Sequence, residues 1–513
     1  MAGQSAEHFN VVDLFHDAAQ AHPGKAAIIY RDQAVSFGDF EKEVIRMAAH
    51  LAHKGIGKGD RVLVFVPMST DLYRVVLALL RLGAVAVFLD EWVRAGRLNE
   101  CCRLAQCRAF IGTFKGRLLA WLLPGLRSIP LRLGVQYDAG LPVPVFPETG
   151  RADVALITFT TGSTGIPKAA IRTHGLLHEQ FQALLPLIDA QQEEVCMPVL
   201  PIVLLINLGA GVTSVIAGFN PRKPDTMQPA TIAAQISRHR VRTVIASPFF
   251  VKRLSRYLLD NGLVLNSIQK ILTGGAPVFP SEAKSYRNAF PNASIRIVYG
   301  STEAEPMTVI AADELIVADT GKGLKVGKTE PGAMVRIIGI RDGEITASTP
   351  GELAVLELQQ GEIGEIIVSG KHVLRDYLHN PQALKRNKIF IGDQCWHRTG
   401  DSGFFDANGN LFLMGRCTSL IRTTDGLLST FLFENHLQAI EGVEMGTVMM
   451  LDNKLAAVVE LDPAADPARV RAAVSELPVV PDEVIFVPKI PRDPRHNSKI
   501  DYTKLRMQVA RGK

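Results

Sequence analysis

Short apolar strands alternate with helical patterns along most of this chain, and that alternation limits the fold more than any single motif. Phe40 to His53 and Leu72 to Arg81 carry apolar residues at helical spacing. Arg61-Val-Leu-Val-Phe-Val66, Ala84 to Leu89 and Thr243-Val-Ile-Ala-Ser247 are short runs rich in β-branched residues. Such alternation predicts α/β layers on largely parallel sheets. From Gly332 to Gly370 the pattern changes. Met334-Val-Arg-Ile-Ile-Gly339 and Glu365-Ile-Ile-Val-Ser369 are separated by Gly, Pro and Asp, which predicts a small β subdomain. Beyond Gly415-Arg416 the pattern is α+β, with strands at Thr447 to Leu451 and Leu455 to Glu460 and a helix from Pro467 to Ser475. A chain of 513 residues is too long for one ordinary core. The expected fold is α/β. A large domain, residues 1–415, has several subdomains with layered, mostly parallel sheets. A small mobile α+β domain follows over residues 416–513.

The net charge of +5 is small and the basic residues are scattered, which argues against nucleic-acid binding. Cys101, Cys102, Cys107, Cys196, Cys395 and Cys417 show no CxxC pair and no zinc spacing. Reduced thiols and an N-terminus unlike a signal peptide predict a cytoplasmic protein. Val195 to Phe219 holds no charged residue and is long enough to span a bilayer. Pro198, Pro201, Asn207, Gly209, Gly211 and Gly218 disfavour a continuous helix there. A buried pocket wall is the favoured reading, and a membrane span is the alternative.

The densest motif is Thr160-Thr-Gly-Ser-Thr-Gly-Ile-Pro-Lys168, after the strand pattern Asp153 to Phe159. Glycines let backbone N–H groups turn toward an anion, hydroxyls donate further bonds, and lysine adds positive charge. It is not the common P-loop, which requires Ser or Thr directly after the lysine. Here Pro167 precedes Lys168 and Ala169 follows. Taken alone, the segment reads either as a polyphosphate cradle or as a surface loop.

Four further segments stand in order behind it. They are Ile271-Leu-Thr-Gly-Gly-Ala-Pro277, Val298-Tyr-Gly-Ser-Thr-Glu303, His397-Arg-Thr-Gly-Asp401 with Gly415-Arg416, and Pro491-Arg-Asp-Pro-Arg-His-Asn-Ser-Lys499. In order, spacing and residue type this set resembles the adenylate-forming superfamily over nearly the whole chain. The resemblance implies an AMP-forming carboxylate ligase that uses ATP and Mg²⁺. It implies that Thr160, Thr161, Gly162, Ser163, Thr164, Gly165 and Lys168 close over the β- and γ-phosphates. Thr302 is expected at the α-phosphate and Glu303 at the metal. Tyr299, Gly275 and Ala276 are expected against adenine, and Asp401 with Arg416 at the ribose. Lys499 is expected to reach the forming anhydride from the small domain.

Two stretches depart from the superfamily pattern. Thr418 stands where an aspartate hinge is usual, and Thr424 and Asp425 stand where small glycines usually line a pantetheine tunnel. The histidine common near Leu204 is missing. These departures put transfer to CoA in question. Phe110 to Lys115, Leu200 to Asn207, Trp396 to Asp401 and Arg492 to Asp501 resemble the β-lactone synthetases of bacterial long-chain olefin biosynthesis. That subgroup implies a 2-alkyl-3-hydroxy fatty acid whose own hydroxyl attacks the acyl-AMP. The alternatives are ligation to CoA or an acyl carrier protein and, remotely, a non-catalytic nucleotide- or lipid-binding relative. The charge-free stretch points to a fatty substrate; neither a nucleic acid nor a membrane span is expected.

Overall fold

In the computed structural model the described residues are 8–89, 95–161, 167–189, 191, 193–220, 223–423, 426–493 and 499–512. Arg61–Phe65 is a strand because Val62, Leu63 and Val64 are all buried there. It lies between Ala109–Gly112 and Val85–Phe88, parallel to both. Leu131–Leu133 joins one side of this sheet, and Val154–Thr161 joins the other. The last strand, Pro167–Thr173, runs antiparallel to Val154–Thr161, with Lys168 opposite Thr160. Thr160 and Lys168 of the loop motif thus lie in paired strands, and Gly162, Ser163, Thr164 and Gly165 lie outside the described residues.

The helix Phe37–His53 starts ahead of the apolar pattern at Phe40, because the Ser36 hydroxyl accepts the Asp39 N–H at 3.1 Å. The same device starts Thr70–Arg81, where Ser69 caps Leu72. Leu72, Val75, Val76 and Leu79 then bury one face of this helix. Each fully buried aliphatic side chain of this kind is worth roughly 1.5–3 kcal/mol.

A second, larger sheet has a parallel half and an antiparallel half. Thr213–Val215, Val195–Pro198, Thr243–Ala246, Lys270–Gly274 and Ser294–Ser301 run parallel in that order. Ala304–Ala311 turns back against Ser294–Ser301. Leu324–Thr329, Leu411–Arg416, Gln394–Phe405, Gly364–Ser369 and Met334–Ile338 follow, all antiparallel. These supply the β content expected after Gly332, interrupted by a short helix at Pro350–Ala354 that Thr349 caps.

The charge-free stretch forms Val195–Pro198, the nine-residue helix Pro201–Gly209 and Thr213–Val215. Among the described residues, no helix is long and apolar enough to cross a membrane.

The C-terminal segment has its own three-stranded sheet, Val443–Leu451, Lys454–Leu461 and Glu483–Val487. Thr430–Ala439 and Pro467–Val474 enclose one core with it through Leu437, Val448, Val459 and Val474. Tyr502–Gly512 closes the other face through Leu505 and Val509. Ion pairs fasten this unit to the larger one. Lys252 lies 3.1 Å from Glu444, Arg256 3.3 Å from Asp462, and Lys489 3.1 Å from Asp225.

Candidate active site

Two neighbouring strands build the first part of the site. A Cβ on Gly274 would stand 2.4 Å from the Val298 carbonyl oxygen, so glycine is what lets these strands approach. Gly275 follows at φ +85°, a left-handed backbone that glycine adopts without strain, and Ala276 comes next. Across from them, the Tyr299 hydroxyl donates to Asp401 Oδ2 at 2.9 Å. Asp401 pairs in register with Arg416, whose guanidinium lies 3.0 Å from Oδ1. The same guanidinium donates to the Thr399 carbonyl at 3.0 Å. Burial, then the Asp401 carboxylate, push the Tyr299 hydroxyl well above the usual phenol range, so it stays a neutral donor.

Thr302 and Glu303 form the turn between Ser294–Ser301 and Ala304–Ala311. Tyr377 donates to Glu303 Oε1 at 3.1 Å. Two lysines flank the Tyr377 ring, with Lys168 Nζ and Lys388 Nζ each 5.7 Å from its centroid. Lys168 also donates to Asn387 Oδ1 at 3.1 Å, and Lys388 donates to the Leu374 carbonyl. Burial alone would raise the Glu303 carboxyl, but Lys388, Lys168 and the Tyr377 hydroxyl outweigh it and hold it below the usual range. Burial lowers Lys388 to about 8 and His397 to about 3. His397 is therefore neutral at pH 7, and the lysines carry the attraction. His397 Nδ1 lies 3.2 Å from the Asn387 carbonyl, which only accepts, so the proton sits on Nδ1.

A buried arginine joins the strand pair that carries Lys168 to the Thr302–Glu303 turn. Arg172 donates to Thr158 Oγ1 at 2.6 Å, to Gln180 Oε1 at 3.2 Å and to the Thr302 carbonyl at 2.8 Å. Through it the strand Pro167–Thr173 is held to the turn that carries Thr302 and Glu303. Sequence reading missed Arg172, Tyr377, Asn387 and Lys388. The one signal was a charged residue among apolar ones in Lys168-Ala-Ala-Ile-Arg172.

A cavity of about 2430 Å³ brings the expected residues from Lys168 to Lys499 together. Gly275, Ala276, Tyr299, Asp401 and Arg416 line one part, with Lys168, Thr302 and Glu303 beside them. Leu200, Leu205, Ile216, Phe219 and Phe249 line an apolar part, so the charge-free stretch is a pocket wall. Lys499, Thr418, Glu434 and Tyr502 border the same space from the C-terminal segment. The Lys499 N–H donates to Asp493 Oδ1 at 2.9 Å, and its carbonyl accepts from the Asp493 N–H at 2.7 Å. Thr160 and Thr161 end the strand Val154–Thr161. Thr424 and Asp425 lie outside the described residues.

A polar pocket opening into an apolar chamber, between a large α/β unit and a small α+β unit, is the architecture of an adenylate-forming enzyme. The model of the AMP-binding enzyme family matches residues 15–378, and the chain belongs to that family as an AMP-forming ligase that uses ATP. It is 31% identical over 509 residues to the olefin beta-lactone synthetase of Stenotrophomonas maltophilia (strain K279a), covering 92% of this chain and 91% of that one. It is 25% identical over 435 residues to a feruloyl-CoA synthase of Amycolatopsis sp., covering 84% and 83% of the two chains. The solved structure of ATP-bound MatB from Rhodopseudomonas palustris shares the fold, with a TM-score of 0.80, 22% identity and coverage of 98% and 99%.

Proposed function

We propose that this enzyme activates a long-chain 3-hydroxy carboxylic acid with ATP and then closes it to a β-lactone. The carrying observation is one cavity lined both by Tyr299, Asp401 and Arg416 and by apolar residues of the stretch Val195 to Phe219, which holds no charged residue. In the first step a carboxylate oxygen attacks the α-phosphorus, the bond to pyrophosphate breaks, and acyl-AMP forms. In the second, the substrate's own 3-hydroxyl attacks the acyl carbon, AMP leaves, and the hydroxyl proton passes to solvent. An attack from within the same molecule gains from proximity and needs no thiol tunnel. Similarity to the olefin beta-lactone synthetase over most of the chain supports this second step.

The residues divide accordingly. Tyr299, Gly275 and Ala276 face adenine, and Asp401 accepts from the ribose hydroxyls with Arg416 holding its carboxylate. Thr302 meets the α-phosphate. Thr160 to Gly165, with Lys168, cover the β- and γ-phosphates. Lys499 supplies a compact positive charge to the transition state. Among the described residues no three His, Cys, Asp or Glu side chains cluster as a metal cage. Glu303 still fits Mg²⁺, which is usually held by one or two carboxylates together with substrate phosphates. Its burial and its ionised state suit that task. When bound, the metal neutralises phosphate charge. Residues 1–415 would form the binding domain and residues 416–513 the moving one.

Thioester formation is the second reading, favoured by the similarity to a feruloyl-CoA synthase. Mass spectrometry of reactions holding a 2-alkyl-3-hydroxy fatty acid, ATP and Mg²⁺, with and without CoA, separates the two. Lactone in the tube without CoA is the expected product. Acyl-CoA formed only when CoA is added, with no lactone, would replace the proposal with the second reading. No AMP in either tube would remove both.

A further inference from the structure

The helix Phe114–Leu122 is built the wrong way round for a helix that only covers a sheet. Its two smallest residues, Gly116 and Ala120, are the buried ones. A Cβ on Gly116 would stand 3.1 Å from the Phe65 ring, so the helix lies close on the strand below it. Phe114, Leu118, Trp121 and Leu122 recur at helical spacing on the opposite face, and each is at least 60% exposed. Thr113 caps the helix start, with its hydroxyl accepting from Gly116 N–H at 3.3 Å.

The sequence around it is basic, bounded by Glu100 and Asp138. From Cys101 to Tyr137 the chain carries Arg103, Arg108, Lys115, Arg117, Arg127 and Arg132, and no Asp or Glu. Arg108 pairs with Asp60 at 3.4 Å. The Arg132 guanidinium lies over the Trp121 ring, 4.7 Å from its centroid. Arg103, on the helix Ala95–Ala105, and Arg127, in the short helix Pro124–Arg127 that follows, are exposed. Asn99 on that helix accepts the Gly125 N–H at 2.7 Å, which holds the two segments together.

This helix also borders the acyl cavity. Lys115 lines it together with Val66, Met68 and Phe88.

We infer that the Phe114–Leu122 face docks the enzyme on an anionic lipid bilayer and sets the cavity beside the source of its apolar substrate. Exposed Trp, Phe and Leu bounded by Lys and Arg are the elements of an interfacial helix. A second copy fits less well, because a two-fold contact would set the same basic surface against itself. The surface rests on the helix and its charges and not on the lactone step.

Vesicle co-sedimentation in the absence of ATP and acid tests it. The probes are phosphatidylcholine vesicles and vesicles with about one-third phosphatidylglycerol. Full-length enzyme is expected to pellet with the anionic vesicles and to be released by high salt. Leu118→Ser/Trp121→Ser and, separately, Arg103→Glu/Arg127→Glu are expected to weaken binding at least about tenfold. Both variants should keep turnover of a water-soluble short-chain acid. Wild-type protein left in the supernatant with both vesicle types would overturn the inference. So would variants that bind as wild type does. Concentration-dependent dimers in sedimentation velocity, lost in Leu118→Ser/Trp121→Ser while vesicles still bind neither protein, would assign the face to a second copy instead.

Discussion

Tyr377 has Lys168 and Lys388 near its ring and its hydroxyl on Glu303, so four side chains share one electrostatic balance. Neither lysine is the one proposed to act on the anhydride; that is Lys499. Lys499→Ala should slow acyl-AMP formation about 100-fold or more while ATP still binds. Pyrophosphate release and nucleotide titration read the two effects, and unchanged turnover would mean that Lys499 has another task. Glu434 is a separate case. It accepts hydrogen bonds from Thr447, at 2.9 Å, and from Tyr502, and burial raises it from 4.5 to about 7. The fold favours its protonated form. Its effect is therefore harmless at acid pH and becomes destabilising as pH rises from the ordinary carboxylate range through about 7. Above that window the cost is roughly 3 kcal/mol. Glu434→Gln keeps an acceptor for both donors. Its melting temperature should exceed that of wild type by several degrees at pH 8, with the gap closing toward pH 4.5. An equal gap at both pH values would rule out titration of Glu434 as the cause.

The hairpin Val154–Thr161/Pro167–Thr173 and the turn at Thr302 approach one another from different sheets, and Arg172 spans them. Arg172→Lys keeps the charge but loses the planar fork that reaches several acceptors at once. The expected result is a rise in KM for ATP of about tenfold with a smaller fall in kcat, and a melting temperature lower by a few degrees. Steady-state kinetics beside thermal unfolding would show it, and wild-type values in both would mean that the bridge is dispensable. This is also where the sequence stopped being legible. Strands such as Arg61–Phe65 announce themselves through local β-branched content, and Tyr299, Thr302, Glu303 and Asp401 sit in short glycine-bearing motifs. Arg172, Tyr377 and Lys388 lie in segments without such punctuation. Their roles arise from pairing between strands and segments far apart in the chain, which no local spacing records. The antiparallel extension of the large sheet was visible only as a change of texture after Gly332.

At the scale of the whole molecule, Glu444 pairs across the contact between the two units, 3.1 Å from Lys252 and 3.5 Å from Arg256. These groups are partly exposed, so each pair is worth little alone, and the set weakens with salt. Glu444→Ala should loosen the small unit. Protease cleavage between Cys417 and Thr423 is expected to become several-fold faster than in wild type, and added salt should bring wild type toward the variant. Equal cleavage of both proteins at low salt would place the restraint elsewhere. The shared cavity has a consequence for efficiency. Its walls come from both units, so any movement that frees the product also opens the mixed anhydride to water. On the proposed lactone route, every opening before ring closure would release AMP and return the starting acid, an idle cycle that spends ATP. The ratio of lactone to AMP thus measures how closely ring closure is timed to opening, and a leakier contact at Glu444 would lower that ratio even with every catalytic side chain in place.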